Sequence, residues 1–471
     1  MPALRKIYLS LFLLGWFFFP FNDFEGYKEL GEFKHEAGAY FFFAGFVFLA
    51  IDCIRRRKIL VPLRSGVFQV LLVFIGWCLV TVLLNYHAVS ESFFKHTTGV
   101  MRFIRQYVSL LLSTIVFMLF FWNCIQWWTV REILMKIRKV LLYCMVFAFV
   151  YGFLETLIVY FHVGMLRPVL QLFDYFPFLD VNYQGDGRIS SIGYEAPALG
   201  NYLIAVSGWM FSYIFTDKTK WKFAPTLMVL FLMYFSGSRT AMINISLQLM
   251  ILMVVMFSMP QYRGTVKIAL RYMAVIAFVA LLFSGKQIAQ SVDKKLSTLD
   301  FSQNLKKNPS NQSRFGMQYA SIQVFKEHPI VGVGFGQEGY YTRFHYPGWA
   351  KKGNYEFKAF YLNKNFRSFP TAYNLYTRLL SETGIIGLLI WGYLIYLCIS
   401  GSVYLFRRTS GEEKVLSFIM IVSFAGMSMN WFQTDFFRQY AFWLCFVILI
   451  RLQGRRIVPK TQAAGTISEA A

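Results

Sequence analysis

Apolar residues arrive along this chain in long unbroken blocks, not at the alternating or helical-face positions of a water-soluble fold. About twenty apolar residues cross a bilayer as a helix. On that rule the blocks at 7–21, 38–54, 66–84, 103–122, 140–161, 196–215, 222–236, 240–258, 268–285, 385–406, 415–433 and 439–452 predict an all-α polytopic membrane protein of about 12 transmembrane helices. The pattern breaks for longest over about residues 286–372. Connections of that length are functional or disordered, and this one is rich in aromatic and amide side chains, unlike a disordered linker. It predicts a folded outer-side loop domain of short helices lying partly on the membrane surface. The organisation expected is nine spans in 1–285, the large loop in 286–372, three spans in 373–452, and a disordered tail in 453–471.

Composition supports the membrane reading. Of 471 residues, 56% are apolar, 19% are aromatic and 15% are charged, against about 25% charged in a typical soluble domain. That leaves too little polar surface to cover a soluble globule, and it excludes collagen, coiled-coil and small disulfide scaffolds. The six cysteines (Cys53, Cys78, Cys124, Cys144, Cys398, Cys445) form no Cys-x-x-Cys pair and lie in or beside apolar runs. They read as small core hydrophobes, with no zinc site or disulfide framework. Arg5 and Lys6 precede the first apolar run without a small-residue cleavage site after it, so that run is expected to be an uncleaved first helix.

The net charge of +23 changes meaning once its distribution is traced. About half of the 47 Lys and Arg residues fall on alternate connections: Arg5 and Lys6, Arg55–Lys58 and Arg64, Arg131–Lys139, Lys218–Lys222, Arg263–Arg271, Arg407–Lys414 and Arg451–Lys460. By the positive-inside rule these connections are cytoplasmic and both termini are inside. The opposite connection 22–37 is acidic, with Asp23, Glu25, Glu29, Glu32 and Glu36. The charge is topology, and no nucleic-acid partner is implied. The remaining basic residues lie on the outer side, mostly in the long loop.

Three local patterns carry candidate chemistry. Ser236-Gly237-Ser238-Arg239-Thr240-Ala241 puts an arginine at the mouth of a span, either a functional charge or a snorkelling anchor. In the long loop, Arg314-Phe315-Gly316 opens a stretch with Ala320, Ile322 and Phe325 at helical spacing. It runs to His328-Pro329-Ile330-Val331-Gly332-Val333-Gly334-Phe335-Gly336, an amphipathic helix stopped by a tight turn. Without a preceding strand, the glycine run reads as a structural turn and not as a phosphate cradle. Last, Tyr373-Asn374-Leu375-Tyr376 leads into Glu382-Thr383-Gly384-Ile385-Ile386-Gly387 at the next span.

The order of these motifs over about residues 190–450 resembles the O-antigen ligase / O-antigen polymerase superfamily of bacterial envelope glycosyltransferases. The resemblance implies an integral inner-membrane enzyme of GT-C-like architecture with a large periplasmic loop domain and its active site facing the periplasm. Such enzymes take a glycan from undecaprenyl pyrophosphate without a cofactor, metal or nucleotide sugar. Polymerases pass it to the next carrier-linked repeat unit, and ligases pass it to lipid A-core. The implied partners are the carrier-linked donor and acceptor, membrane lipid and a chain-length regulator. Arg239 and Arg314 correspond to the family's paired functional arginines. The histidine of its His-Asn motif falls at Tyr373, a departure that favours the polymerase over the ligase.

The residue types fit that chemistry independently. A pyrophosphate leaving group develops charge near a low-dielectric boundary, where fixed donors count most, and arginine pairs phosphate oxygens bidentately at any physiological pH. Arg239 and Arg314 are expected on the pyrophosphate. Arg102, Arg105, Arg188, Arg343, His345, Arg367, Asn374, Arg378 and Arg438 are candidates for carrier or glycan contacts. A base for the acceptor hydroxyl comes from Glu195 first, then His345, Glu382 or Asp435. Glu195 also suits a helix N-terminus, Glu382 a brace at the loop–helix junction, and Asp435 a pair with Arg438. Loop aromatics form a sugar platform or, more simply, an interfacial aromatic belt or the loop's own core. No Asp-x-Asp, Walker loop, dinucleotide fingerprint or His-x-x-x-His pair occurs. A lipid-linked sugar flippase and a non-catalytic assembly partner are the alternatives of other classes, although no paired broken helices of a transporter are seen.

Overall fold

The computed structural model describes residues 3–181, 187–264, 267, 268, 271, 309–363 and 365–457. Its main helices are α1 (Ala3–Phe18), α2 (Ala37–Arg56), α3 (Gly66–Leu84), α4 (Gly99–Ile125), α5 (Val130–Val159), α6 (Ala196–Thr216), α7 (Ala224–Ser236), α8 (Arg239–Ser258), α9 (Pro309–Glu327), α10 (Glu338–His345), α11 (Leu375–Arg408), α12 (Gly411–Asn430) and α13 (Tyr440–Ile457). A two-stranded hairpin, β1 (Phe93–Phe94) with β2 (Thr97–Thr98), lies between α3 and α4. Every apolar block is helical apart from 268–285, which falls outside the described residues save for two positions, as does the loop before 309.

Among the described residues, seven helices (α2, α3, α4, α5, α6, α8 and α11) are long and apolar enough to cross a membrane, against the twelve that block counting predicts. α1 and α7 are shorter. α12 opens on Glu412 and Glu413 and carries Ser417, Ser423 and Ser428. It sits inside the bundle, burying Phe418, Ile419, Met420 and Val422. Gln248 of α8 ties it in, donating to the carbonyls of Ile204 (2.9 Å) and Val422 (3.1 Å). Such a polar side chain joins three helices where lipid offers no alternative partner.

Two boundaries differ from the sequence reading. α5 starts at Val130 and not at 140. Thr129 caps it reciprocally, accepting from the Glu132 N–H at 3.2 Å while Glu132 accepts from the Thr129 N–H at 2.8 Å, a capping box. Counting apolar length alone missed these basic first turns. α11 starts at Leu375 and not at 385, with a break at Gly384 (φ 65°).

That break explains the glycine turn. Gly332, Gly334 and Gly336 all have positive φ, a region open to glycine at little cost. The turn lies against the kink of α11. Val333 donates to the Ser381 carbonyl (2.9 Å), Gly334 to that of Glu382 (3.0 Å), and Ile385 to that of Pro329 (2.9 Å). The two glycine motifs lock onto each other, and the turn is structural as its sequence implied. The N-terminal third then receives the loop: Trp77 donates to the Thr383 carbonyl, Asn85 to that of Gly332, Gln337 to that of Gly99 and Tyr340 to that of Thr97. Within the loop, Met317, Ala320, Tyr346, Ala350 and Phe357 form a small core with Trp349, Tyr361 and Tyr373 against it, so these aromatics serve packing.

Gly384→Ala tests the lock. Its Cβ would stand 2.1 Å from the Ile330 carbonyl oxygen at a φ disfavoured for alanine, costing about 2 kcal/mol or more. A clear fall in Tm of the detergent-solubilised protein is expected, while Gly392→Ala, where a Cβ meets nothing within 4 Å, leaves Tm unchanged.

Candidate functional site

A turn at 431–439, between α12 and α13, collects arginines from three parts of the chain. Arg378 of α11 is buried, so its donors must all be met inside the protein. Nε donates to Glu382 (3.1 Å), Nη1 to the Asp435 carbonyl (2.8 Å) and Nη2 to Gln106 Oε1 of α4 (2.8 Å). Gln106 passes the chain on to Glu32 at 2.9 Å. Arg438 pairs with Glu32 (2.9 Å) and Glu36 (2.5 Å), while Asp435 accepts from the Ala372 N–H at 2.7 Å. The expected Asp435–Arg438 pair is therefore replaced. The acidic 22–37 connection, read only as topology, supplies the partners of Arg438.

These groups line an open polar cleft, walled by Glu32, Arg102, Gln106, Glu338, Arg378, Glu382, Asp435 and Arg438, with 368–371 also on its lining. Burial opposes ionisation of Glu32, but Arg438 and hydrogen bonds from Ser109 and Gln106 outweigh it and hold its carboxyl below the usual value. Glu338 goes the other way. Burial first, then the neighbouring Glu382 charge, push it from 4.5 up to about 8 against the pull of Ser321 and Arg378. Arg102 stacks over Phe369 at 4.3 Å, and its Nε has no hydrogen-bond partner among the described residues. A second opening runs between helices past Phe19, Tyr202, Ala205, Met427 and Ala441, with Asn22, Asn201, Asn430 and Gln439 also on its walls. It shares Glu36-bound Arg438 and Phe436 with the neighbourhood of the polar cleft.

Of the residues singled out in the sequence, Arg102, Arg378 and Arg438 come together in the polar cleft. Arg314 stands behind the turn, donating to Gln433 at 2.9 Å with its guanidinium 5.6 Å from the Tyr373 ring. Tyr373, at a left-handed φ of 59°, donates to Glu356. Burial and Glu356 raise its phenol above the ordinary value, so it remains a protonated donor at neutral pH. Asn374 caps α11, accepting from the N–H groups of Tyr376 (2.9 Å) and Thr377 (3.2 Å).

Arg239 is exposed in the first turn of α8. Its end of α8 adjoins the start of α6, where a Cβ on Gly200 would lie 3.1 Å from Ser238 Oγ. Asn201 in turn accepts from Asn430 at 3.0 Å, which links Arg239 to the 431–439 turn without setting it in either opening. Arg188 packs beside Gly237. Glu195 is exposed just before α6 and makes no side-chain cap. His345 faces Glu327 at 3.2 Å, Arg343 stacks on Phe344 and Phe94, and Arg105 and Arg367 are exposed.

Glu338, Glu32, Glu36 and Gln106 were not singled out as site residues. The one signal for Glu338 was its place two residues after Gly336, at the start of a helix that the glycine turn aims inward. Glu32 and Glu36 showed only as part of an acidic connection, and Gln106 left no local mark of its contacts with Glu32 and Arg378. Among the described residues, no cluster of three or more His, Cys, Asp or Glu side chains is spaced to hold a metal ion.

Residues 224–392 match the family model described as O-antigen ligase. The matched stretch holds Arg239, Arg314, Glu338, Tyr373 and Arg378, and it supports the likeness to the O-antigen ligase/polymerase superfamily. No curated protein matches the chain.

Two stability measurements probe the cleft. Glu382→Gln removes the counter-charge of buried Arg378 and should destabilise by about 3–5 kcal/mol, with Arg378→Met in the same chain recovering most of it. Glu338 binds its proton more tightly when folded. Its contribution is thus complete below about pH 4.5 and is lost as pH rises towards 8. Unfolding curves across that range should show wild type weakening relative to Glu338→Gln.

Proposed function

We propose that this protein is a polysaccharide polymerase of the bacterial inner membrane. It transfers a growing glycan from undecaprenyl pyrophosphate to the next carrier-linked repeat unit on the periplasmic face, with both termini in the cytoplasm. The observation that carries this reading is the meeting of two unlike openings at Arg438: one between helices, where Phe19, Ala205, Met427 and Ala441 stand beside the amides of Asn22, Asn201 and Asn430, the other polar and rich in arginine. A polyprenyl pyrophosphate has those two halves. Its tail suits the apolar side chains of the first opening and its pyrophosphate suits the guanidinium groups, which in a desolvated setting stabilise the charge that develops on the departing phosphate.

The acceptor hydroxyl attacks the anomeric carbon of the donor from the polar cleft, under the loop. A single displacement inverts that carbon. Arg314, oriented by Gln433, and Arg239 serve the carrier head at the edge of the site. The ligase reading is favoured by the description of the matching family. Against it stands Tyr373, a half-buried neutral phenol bound to Glu356 at the position where the ligase pattern has an imidazole.

The test uses purified protein and a synthetic carrier-linked repeat unit, with and without chelator. A ladder of longer glycans should form in both, and Arg438→Ala, Arg314→Ala and Arg239→Ala should each reduce it about 10²-fold or more. Transfer only when lipid A-core is supplied makes the protein a ligase. Loss of the ladder in chelator contradicts the metal-independent mechanism. Extension of neither acceptor contradicts the enzyme reading and leaves a flippase to be tested by carrier translocation.

A further inference from the structure

Transfer to a hydroxyl needs a proton acceptor, and four carboxylates line the cleft: Glu32, Glu382, Asp435 and Glu338. Glu32 is ion-paired to Arg438. Glu382 is ion-paired to Arg378, and one oxygen of Asp435 holds the Ala372 N–H. Glu338 makes no ion pair among the described residues. Its Oε1 meets two serine hydroxyls, Ser321 of α9 and Ser381 of α11 at 3.1 Å, and no described side chain engages Oε2.

Each serine has one proton and a choice of acceptors. Ser321 also reaches the Met317 carbonyl (2.9 Å), and Ser381 that of Arg378 (3.0 Å). When Glu338 is ionised, both hydroxyls turn to Oε1. When it is protonated, they turn back to their helix carbonyls and offer their own lone pairs. Both protonation states are therefore hydrogen-bonded, so moving a proton on or off strands no buried polar group. A purely structural acid would need only one of the two arrangements.

We propose that Glu338 is the general base of the transfer, an assignment that rests on the polyprenyl-pyrophosphate reading above. The acceptor oxygen forms its bond to the anomeric carbon while its proton passes to Glu338 Oε2. The bond from that carbon to the pyrophosphate oxygen breaks, and its electron pair leaves with the phosphate. The proton is then released to water, and no other reactant is required. Groups facing Glu338 set where it titrates: Arg378 and Glu382 from α11, Asp435 from the 431–439 turn, Arg102 from α4, and Tyr361. Burial and the two acids favour the proton, and Ser321 and Arg378 oppose it, which leaves a base poised near neutral pH.

The test measures the rate of carrier-linked chain extension from pH 5 to 9 in the full-length detergent-solubilised protein. Wild type should lose activity on an acidic limb. Glu338→Gln keeps the shape and hydrogen bonds of the protonated acid, so it should fold and bind the carrier-linked unit with KM within a few fold. Its kcat should fall about 10²–10⁴-fold, and Glu338→Asp should recover part of it. Ser381→Ala removes one donor to the ionised carboxylate and should move the acidic limb to higher pH while activity returns above it. A merely structural Glu338 would leave that limb in place. A Glu338→Gln variant with wild-type kcat and limb overturns the base assignment alone. Wild type that transfers glycan neither to the carrier-linked unit nor to lipid A-core overturns the carrier reading and the base role with it.

Discussion

A guanidinium cut off from water has to find its hydrogen-bond acceptors in the protein, and Arg378 finds them on three separate parts of the chain. Glu382 lies one turn along its own helix, the Asp435 carbonyl belongs to the C-terminal turn, and Gln106 comes from the N-terminal third. Removing any of these would leave a buried charge poorly compensated, a cost of several kcal/mol. The requirement therefore fixes the relative positions of α4, α11 and the 431–439 turn. The cleft exists between them because Arg378 is satisfied there. Glu32 extends the same chain of contacts to Arg438, so the second arginine is held in place before any ligand arrives.

Such prior arrangement matters for the proposed chemistry. Donors that are already oriented need no reorganisation when charge develops on a leaving group. The carboxylates of Glu32 and Glu36 keep Arg438 ordered at the junction of the opening between helices and the polar cleft. The glycine turn gives the second element of rigidity. By fastening 332–336 to the break at Gly384, it delivers Glu338 to the cleft wall from a loop that would otherwise be free to move.

Much of the fold was legible because membrane spans announce themselves by local composition. The blocks located the helices, and the glycine motifs correctly marked a structural turn. Helix ends were less legible: the basic first turn of α5 and the polar start of α11 look like connections to any count of apolar length. The site was legible only in part. Arg102, Arg378 and Arg438 stood out as charges on the outer side, yet Asn374 is committed to a helix cap and His345 faces Glu327. Glu32 and Glu36 carried a charge signal that had a sufficient topological explanation. Gln106, a neutral amide inside an apolar helix, gave no warning of its role between Arg378 and Glu32.

The central claim is that a polyprenyl carrier lies along the opening between helices with its head at Arg438. Photocrosslinking with a polyprenyl pyrophosphate carrying a diazirine near the head tests it directly, with labelled residues mapped by mass spectrometry. Labels should concentrate on Tyr202, Ala205, Met427 and Ala441 beside Arg438, and inorganic pyrophosphate in excess should reduce them. Labels confined to the opening at the other end of the bundle, around Phe215, Tyr262 and Phe418, would contradict it.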